Sequence, residues 1–221
     1  MRVVTWNAQH GRPNPDGPPD IGRAVEPLRA LAGDVYAIQE LDRRRRRSGR
    51  VDQPGVLASG LGGELVWAPA LGRAGQYGVA LLVRGDVVTS EVVALPGRGE
   101  PRVVVAAAVE VAGRRWTVAC THLSTRRAVA TRQLVAVLDA LAPWPHPRVL
   151  LGDLNLADSA VLPWSAPEGY QLVGGPPTHS TRSEVVEHRI DHVLVAGAAI
   201  ERTGVHDLAM SDHKAVTADL R

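Results

Sequence analysis

Val149-Leu150-Leu151-Gly152-Asp153-Leu154-Asn155 is the stretch on which the reading of this chain turns. Its run of Val and Leu stops abruptly at Gly, Asp and Asn, the pattern of a buried strand closed by turn residues. Side chains alternate along a strand, so Asp153 and Asn155 point the same way from its end. A carboxylate acts as a base or holds a metal, and a carboxamide both donates and accepts hydrogen bonds. Phosphoryl chemistry needs that pairing at the mouth of a sheet.

Other strands end in the same manner. Residues 2–8 are apolar and β-branched and run into Asn7, Gln9, His10 and Gly11, and residues 34–41 end in Gln39-Glu40. Further strands are expected over 65–68, 77–84, 87–95, 103–111 and 115–121, the last two joined by a hairpin at Ala112-Gly113. After the quoted stretch come a short helix, a Pro-rich link through Pro176-Pro177, and strands over 189–195, 200–207 and 215–220. Apolar residues at helical spacing predict helices over 21–32, 53–61 and 126–141. Asp20 is placed to cap the first, and Pro27 argues that its regular part begins near that residue. Residues 11–20 are dense in Pro and Gly and form a loop. No linker or repeat divides the chain, and both halves hold strands and helices. One domain over 1–221 is expected, an α/β sandwich with sheets packed face to face.

Composition narrows the function classes. At 221 residues, 45% hydrophobic and 22% charged, the chain supports a large core and is not disordered. A net charge of +2 does not announce a nucleic-acid binder by bulk charge, but Arg43 to Arg47 is an unbroken basic run. The single cysteine, Cys120, excludes an internal disulfide, and it reads as a small buried strand residue rather than a nucleophile. No window reaches the roughly 18 apolar residues of a membrane helix. The chain enters a strand at once, with no room for a secretion signal, so a cytoplasmic monomer is expected.

Collected, the polar residues at strand ends are Asn7, Glu40, His122, Asp153, Asn155, Asp191, His192, Asp212 and His213. Loops at strand ends are the usual home of catalytic groups on a rigid scaffold. The ordered series Thr5-Trp6-Asn7, Gln39-Glu40, Tyr77-Gly78, Thr121-His122-Leu123, Gly152-Asp153-Leu154-Asn155, Arg189-Ile190-Asp191 and Ser211-Asp212-His213 resembles the endonuclease/exonuclease/phosphatase superfamily, the DNase I-like group. Seven motifs in that order cover essentially the whole chain.

The resemblance implies a four-layer α/β/β/α sandwich of two mixed, mainly antiparallel sheets, and Mg²⁺-dependent hydrolysis of a phosphoester, with Mn²⁺ as a substitute. It implies that Glu40 binds the metal, supported by Asp212 and by Asn7 beside it. It implies that His213 touches the scissile phosphate with Asp191 as its partner, that Asp153 orients or deprotonates water, and that Asn155 meets a phosphate oxygen. His122 resembles the second histidine of the DNase and sphingomyelinase branches, where apurinic-site endonucleases carry Tyr.

Substrate recognition is less defined. Tyr77 is a candidate lining residue, and Arg43, Arg44 and Arg47 are candidates for a rim that holds a polyanion such as DNA or RNA. Loop arginines Arg73, Arg84, Arg126 and Arg127 are candidates for the same rim. His10, His146, His179, His188 and His206 read as surface or loop histidines, and His192 as structural. A phosphodiesterase or nuclease is the first reading. A phosphomonoesterase or a lipid or sugar-phosphate hydrolase is the second, and an inactive binding protein the third. The tight His-x-His-x-Asp-His cluster of metallo-β-lactamase-type hydrolases is absent.

Overall fold

Val149, Leu150 and Leu151 are all buried, since their strand has protein on both faces; a strand so placed is a continuous apolar run rather than an alternating one. The structure, a computed structural model, describes residues 1–12, 17–72, 75–180 and 187–221. Arg73 and part of the 11–20 loop lie outside the described residues.

The strands are β1 (Arg2–Asn7), β2 (Val35–Arg43), β3 (Glu64–Leu71), β4 (Gln76–Val83), β5 (Asp86–Ala94), β6 (Val103–Val111), β7 (Arg114–His122), β8 (Arg148–Asp153), β9 (Gln171–Leu172), β10 (His179–Ser180), β11 (Glu187–His188), β12 (Asp191–Ala196), β13 (Ile200–His206) and β14 (Ala215–Leu220). The helices are α1 (Val25–Ala30), α2 (Gln53–Leu61), α3 (Arg127–Leu141) and α4 (Asp158–Ser165). One six-stranded sheet has the order β13-β14-β1-β2-β4-β3 and the other β5-β6-β7-β8-β12-β9. β1–β2 and β7–β8 are parallel, and the other pairs antiparallel.

The pleat sorts side chains into three cores. Val3, Val35, Leu81, Val105, Val118, Val149, Leu151 and Val193 meet between the sheets. Their outward neighbours Val4, Tyr36 and Ile38 pack with Leu28 of α1 and Leu57 of α2. On the opposite outer face, Leu150 and Leu194 pack with Leu134 and Leu138 of α3 and Val161 of α4. The result is the four-layer α/β/β/α sandwich. Cys120 lies in the inter-sheet core, where burial pushes its thiol up to about 12. Among the described residues no helix is long and apolar enough to cross a membrane.

Some boundaries differ from the sequence reading. The expected helix over 21–32 divides into a 3₁₀ turn at Ile21–Ala24, capped by Asp20, and α1. Pro27 falls in the first turn of α1, where a missing N–H costs no hydrogen bond. β2 runs on to Arg43, two residues beyond the expected end, and β12 begins at Asp191 rather than residue 189.

Candidate active site

Each sheet delivers polar groups where its apolar runs stop. Asn7 ends β1 and pairs with Gln39, the residue before Glu40. The β2–β4 register shifts between Ile38 and Leu41, and Glu40 takes a left-handed φ of 55°. That region is costly for a residue with a Cβ, and such strain gathers at functional sites. The bulge brings the Glu40 carboxylate onto the Asn7 amide. In the other sheet Asp153 is paired with His122 of β7 and Asp191 of β12, so the three lie side by side. Gly152 has a φ of 151°, and a Cβ there would lie 2.0 Å from the Thr121 carbonyl oxygen; glycine alone lets β8 end this close to β7.

The two sets meet between the sheets. Asn7 Nδ2 donates to Glu40 Oε1 at 3.1 Å and to Asp153 Oδ2 at 3.0 Å. Its Oδ1 accepts from the Gln9 backbone N–H, so Asn7 presents N–H groups, not oxygen, to both carboxylates. His213 places Nδ1 2.9 Å from Asp191 Oδ2 and Nε2 3.8 Å from Asp153 Oδ2. The Trp6 indole donates to the His213 carbonyl at 3.2 Å, and Ser211 Oγ to the Asn7 carbonyl at 2.8 Å, fixing this loop against β1. His122 Nε2 stands 3.4 Å from Asp153 Oδ2. The Asn155 backbone N–H donates to Asp153 Oδ1 and its Nδ2 to the Leu123 carbonyl, which leaves a second side-chain N–H for the cleft.

The two histidines flanking Asp153 are held in opposite states. Burial pulls the His213 imidazole down, but the Asp191 charge and hydrogen bond, with Asp153 and Asp212, outweigh it and raise it to about 9. Burial pushes His122 well below the ordinary histidine range, and the Arg102 cation adds to that. Arg102 Nη1 lies 2.9 Å from His122 Nδ1. A guanidinium only donates, so Nδ1 accepts and the neutral ring carries its proton on Nε2, toward Asp153. Burial, then the Asp191 charge, raises Asp153 to about 7. Asp212 is lowered: burial opposes this, but the His179 hydrogen bond and the His213 charge prevail.

A cleft of about 400 Å³ opens over these groups. Glu40, His122, Asp153, Asn155, Asp212, His213, Tyr77 and Arg47 all line it. Asp191 lies beneath, fully buried behind His213. The Arg47 guanidinium sits 5.2 Å from the centre of the Tyr77 ring and makes two hydrogen bonds to Asp42. The rest of the basic run is placed otherwise than expected. Arg43 belongs to β2 and pairs with Asp52 at 3.1 Å, and neither it nor Arg44 lines the cleft. Arg84 and Arg126 do not line it either, and Arg127 lines a neighbouring cavity that shares Asn155.

Gln9, His10, Arg102 and His179 line the cleft without being among the expected site residues. His10, read as a loop histidine, faces Glu40 Oε2 at 3.2 Å through Nδ1, and His179 Nε2 lies 3.7 Å from Asp212 Oδ2. Gln9 Nε2 donates to Asp212 Oδ2 at 2.9 Å. Arg102 was legible in principle: the Ala112-Gly113 hairpin sets the register that pairs Val104 with Thr121, so Arg102 enters beside His122. His10 reaches the cleft from a 3₁₀ turn at Gln9–Gly11 and His179 from the two-residue strand β10, neither of which carries a local sequence signal. His192 is buried with Nε2 2.7 Å from the Leu156 carbonyl, in keeping with a structural role.

The donor chemistry fits a hard divalent cation. Glu40 and Asp212 are carboxylates on the cleft wall, and Gln9 Oε1 is a buried oxygen with no hydrogen-bond partner, the kind of atom an ion or its water satisfies. Among the described residues, two groups present ligand atoms within 4.8 Å of one another: His179, Asp212 and His213; and Asp153, Asp191 and His213.

Comparison with solved structures gives the same architecture. A crystal structure of an endonuclease/exonuclease/phosphatase from Beutenbergia cavernae DSM 12333 is 26% identical, with a TM-score of 0.85 over 100% of this chain and 71% of that one. Humanized TDP2 of D. rerio is 19% identical, with a TM-score of 0.79 over 100% of this chain and 98% of that one. The mannosyl-6-phosphatase Bt3783 of Bacteroides thetaiotaomicron VPI-5482 is 14% identical, with a TM-score of 0.78 over 100% and 99%. At the latter two identities the likeness is one of fold. A search of curated protein sequences found no match. The model of the Endonuclease/Exonuclease/phosphatase family matches residues 4–213, nearly the whole of the chain, which therefore belongs to that family.

Proposed function

We propose that this protein is a divalent-metal-dependent phosphodiesterase that hydrolyses a P–O bond with an activated water. One observation carries the reading: Asp153 lies between the His213–Asp191 pair and His122, with Glu40 joined to it through Asn7. Glu40 and Asp212 are the residues to hold Mg²⁺, or Mn²⁺ in its place, and such an ion supplies neutralisation of charge on a phosphate oxygen. Asp153, raised toward neutrality, accepts the proton of the attacking water. His213, kept protonated by Asp191, donates to a non-bridging oxygen, where charge grows as the new P–O bond forms. His122 Nε2–H and the second Asn155 N–H add neutral donors.

The lining of the cleft bears on the substrate. Arg47 and Arg102 line it, which suits a second phosphate oxygen or a neighbouring phosphate. Each is already paired, with Asp42 and Glu100, and Arg43 is paired with Asp52. That pairing weakens the basic rim and favours a second reading, a small phosphoester over a long polyanion. A panel of plasmid DNA, single-stranded RNA, an aryl phosphodiester and an aryl phosphomonoester, with Mg²⁺ and with Mn²⁺, tests both. Cleavage abolished by EDTA and restored by metal is expected. Turnover that persists in EDTA sinks the metal-dependent mechanism, and turnover of the aryl esters without cleavage of DNA or RNA selects the second reading.

A further inference from the structure

On the Asp212 side of the cleft, His179, which the proposed hydrolysis does not use, stands beside two residues that it does, Asp212 and His213. His179, Asp212 and His213 each offer a ligand atom, all within 4.8 Å of one another. His179 Nε2 is 3.7 Å from Asp212 Oδ2, and His213 Nε2 is 3.9 Å from Asp212 Oδ1. Donors around a tetrahedral Zn²⁺, at about 2.0–2.1 Å from the ion, stand about 3.3 Å apart; the two histidine–carboxylate distances, made to different Asp212 oxygens, exceed that by roughly half an ångström, and the whole set lies within 4.8 Å. The backbone already juxtaposes the histidines. His179 and His213 form an antiparallel bridge, Lys214 N–H donates to the Thr178 carbonyl at 2.7 Å, and the two rings are 4.5 Å apart.

Outer contacts orient two of these ligands. Asp191 occupies His213 Nδ1 and leaves Nε2 as the ligating nitrogen, the carboxylate–histidine arrangement found behind bound zinc. Gln9 Nε2 steadies the Asp212 carboxylate. Two imidazoles with one carboxylate suit a transition metal, whereas Mg²⁺ prefers oxygen. Glu40 belongs to neither ligand group, so this set shares only Asp212 with the oxygen-lined site.

We propose that His179, Asp212 and His213 form a Zn²⁺ site that, when filled, displaces the Nε2 proton of His213 to solvent, takes that nitrogen from the phosphate and so inhibits hydrolysis. The inhibitory half of this inference rests on the phosphoesterase reading and is read as turnover of the Mg²⁺-activated chain that Zn²⁺ slows in the wild type and not in the His179 variants, equal slowing in both overturning it; the binding half does not rest on that reading. Calorimetric titration of Zn²⁺ into the EDTA-treated, dialysed full chain should show a saturable site. Co²⁺ in its place should give the intense visible bands of four-coordination. His179→Phe, which keeps a ring against His213, and His179→Gln should each weaken Zn²⁺ binding about tenfold or more, while Glu40→Gln leaves it in place. Wild-type zinc affinity in both His179 variants, or its loss in Glu40→Gln alone, overturns the site. A chain that binds zinc through His179 yet hydrolyses no phosphoester overturns the function proposed above and leaves the site standing. An active chain with no zinc site does the reverse.

Discussion

In one sheet the parallel pair β1–β2 is flanked by antiparallel β14 and β4; in the other the parallel pair β8–β7 is flanked by antiparallel β12 and β6. The polar residues fall at matching places. Asn7 and Asp153 end the corresponding strands, Glu40 and His122 lie at the mouths of their parallel partners, and His213 and Asp191 stand near the starts of the antiparallel neighbours. Their chemistry differs. The first sheet brings an amide, a carboxylate and an imidazole held charged; the second brings two carboxylates and an imidazole held neutral. Pairing and pleat settle where a group stands, and the residue type settles what it does there.

Substitutions that separate the two sheets put this contrast at risk. Asp153→Asn should have the largest effect, lowering kcat by about 10²–10⁴-fold while the metal requirement changes little. A loss below tenfold would remove Asp153 from its central place. Glu40→Gln, its counterpart, should act through the cation: the Mg²⁺ concentration for half-maximal rate is expected to rise by about tenfold or more. If Glu40→Gln and Asp153→Asn gave the same metal dependence, the division of labour between sheets would fail.

Asp191→Asn comes next and is read from pH. Activity needs Asp153 ionised and His213 protonated, so it should rise through about 7 and fall through about 9. Removing the Asp191 charge lowers both groups, because that charge favours the proton on each. Both limbs should therefore move to lower pH, by about one unit or more for His213. An unmoved alkaline limb would show that His213 is not the group that titrates there. Arg102→Met should be the mildest, costing a few-fold in kcat/KM, of the order of one lost neutral hydrogen bond. Its diagnostic is ¹⁵N NMR of His122: the wild-type ring should report a protonated Nε2 with a bare Nδ1, and the variant a mixture. A wild-type ring already mixed would dissolve the contrast between the two imidazoles.

Much of this was legible in the chain itself. Apolar runs stopped by Asn7, Glu40, His122 and Asp153, and one that starts just after Asp191, located both the strands and the mouth of the sandwich, because a strand buried on two faces leaves an unmistakable run. The bulge at Glu40 was not legible, since nothing in Gln39-Glu40-Leu41 signals a left-handed residue there, and so the strand was ended two residues early. Arg43 to Arg47 looked like a solvated basic rim. The pairing of Arg43 with Asp52, and of Arg45 and Arg47 with Asp42, goes with a 3₁₀ turn at Arg46–Ser48 that folds the segment back on itself. His10 and His179 had nothing around them to separate them from surface histidines, and it is the 3₁₀ turn at Gln9–Gly11 and the short strand β10 that bring them to carboxylates.

The Asn7 amide touches a carboxylate from each sheet through one nitrogen, at 3.1 and 3.0 Å. That atom works as a gauge of the spacing between the layers. A cavity opened far away in the inter-sheet core, as by Leu81→Ala or Leu151→Ala, has a route to the chemistry that involves no cleft residue: if the layers slide by a few tenths of an ångström, the gauge opens first. Turnover thus becomes a more sensitive reporter of how the sandwich is stacked than any measure of whether it is folded.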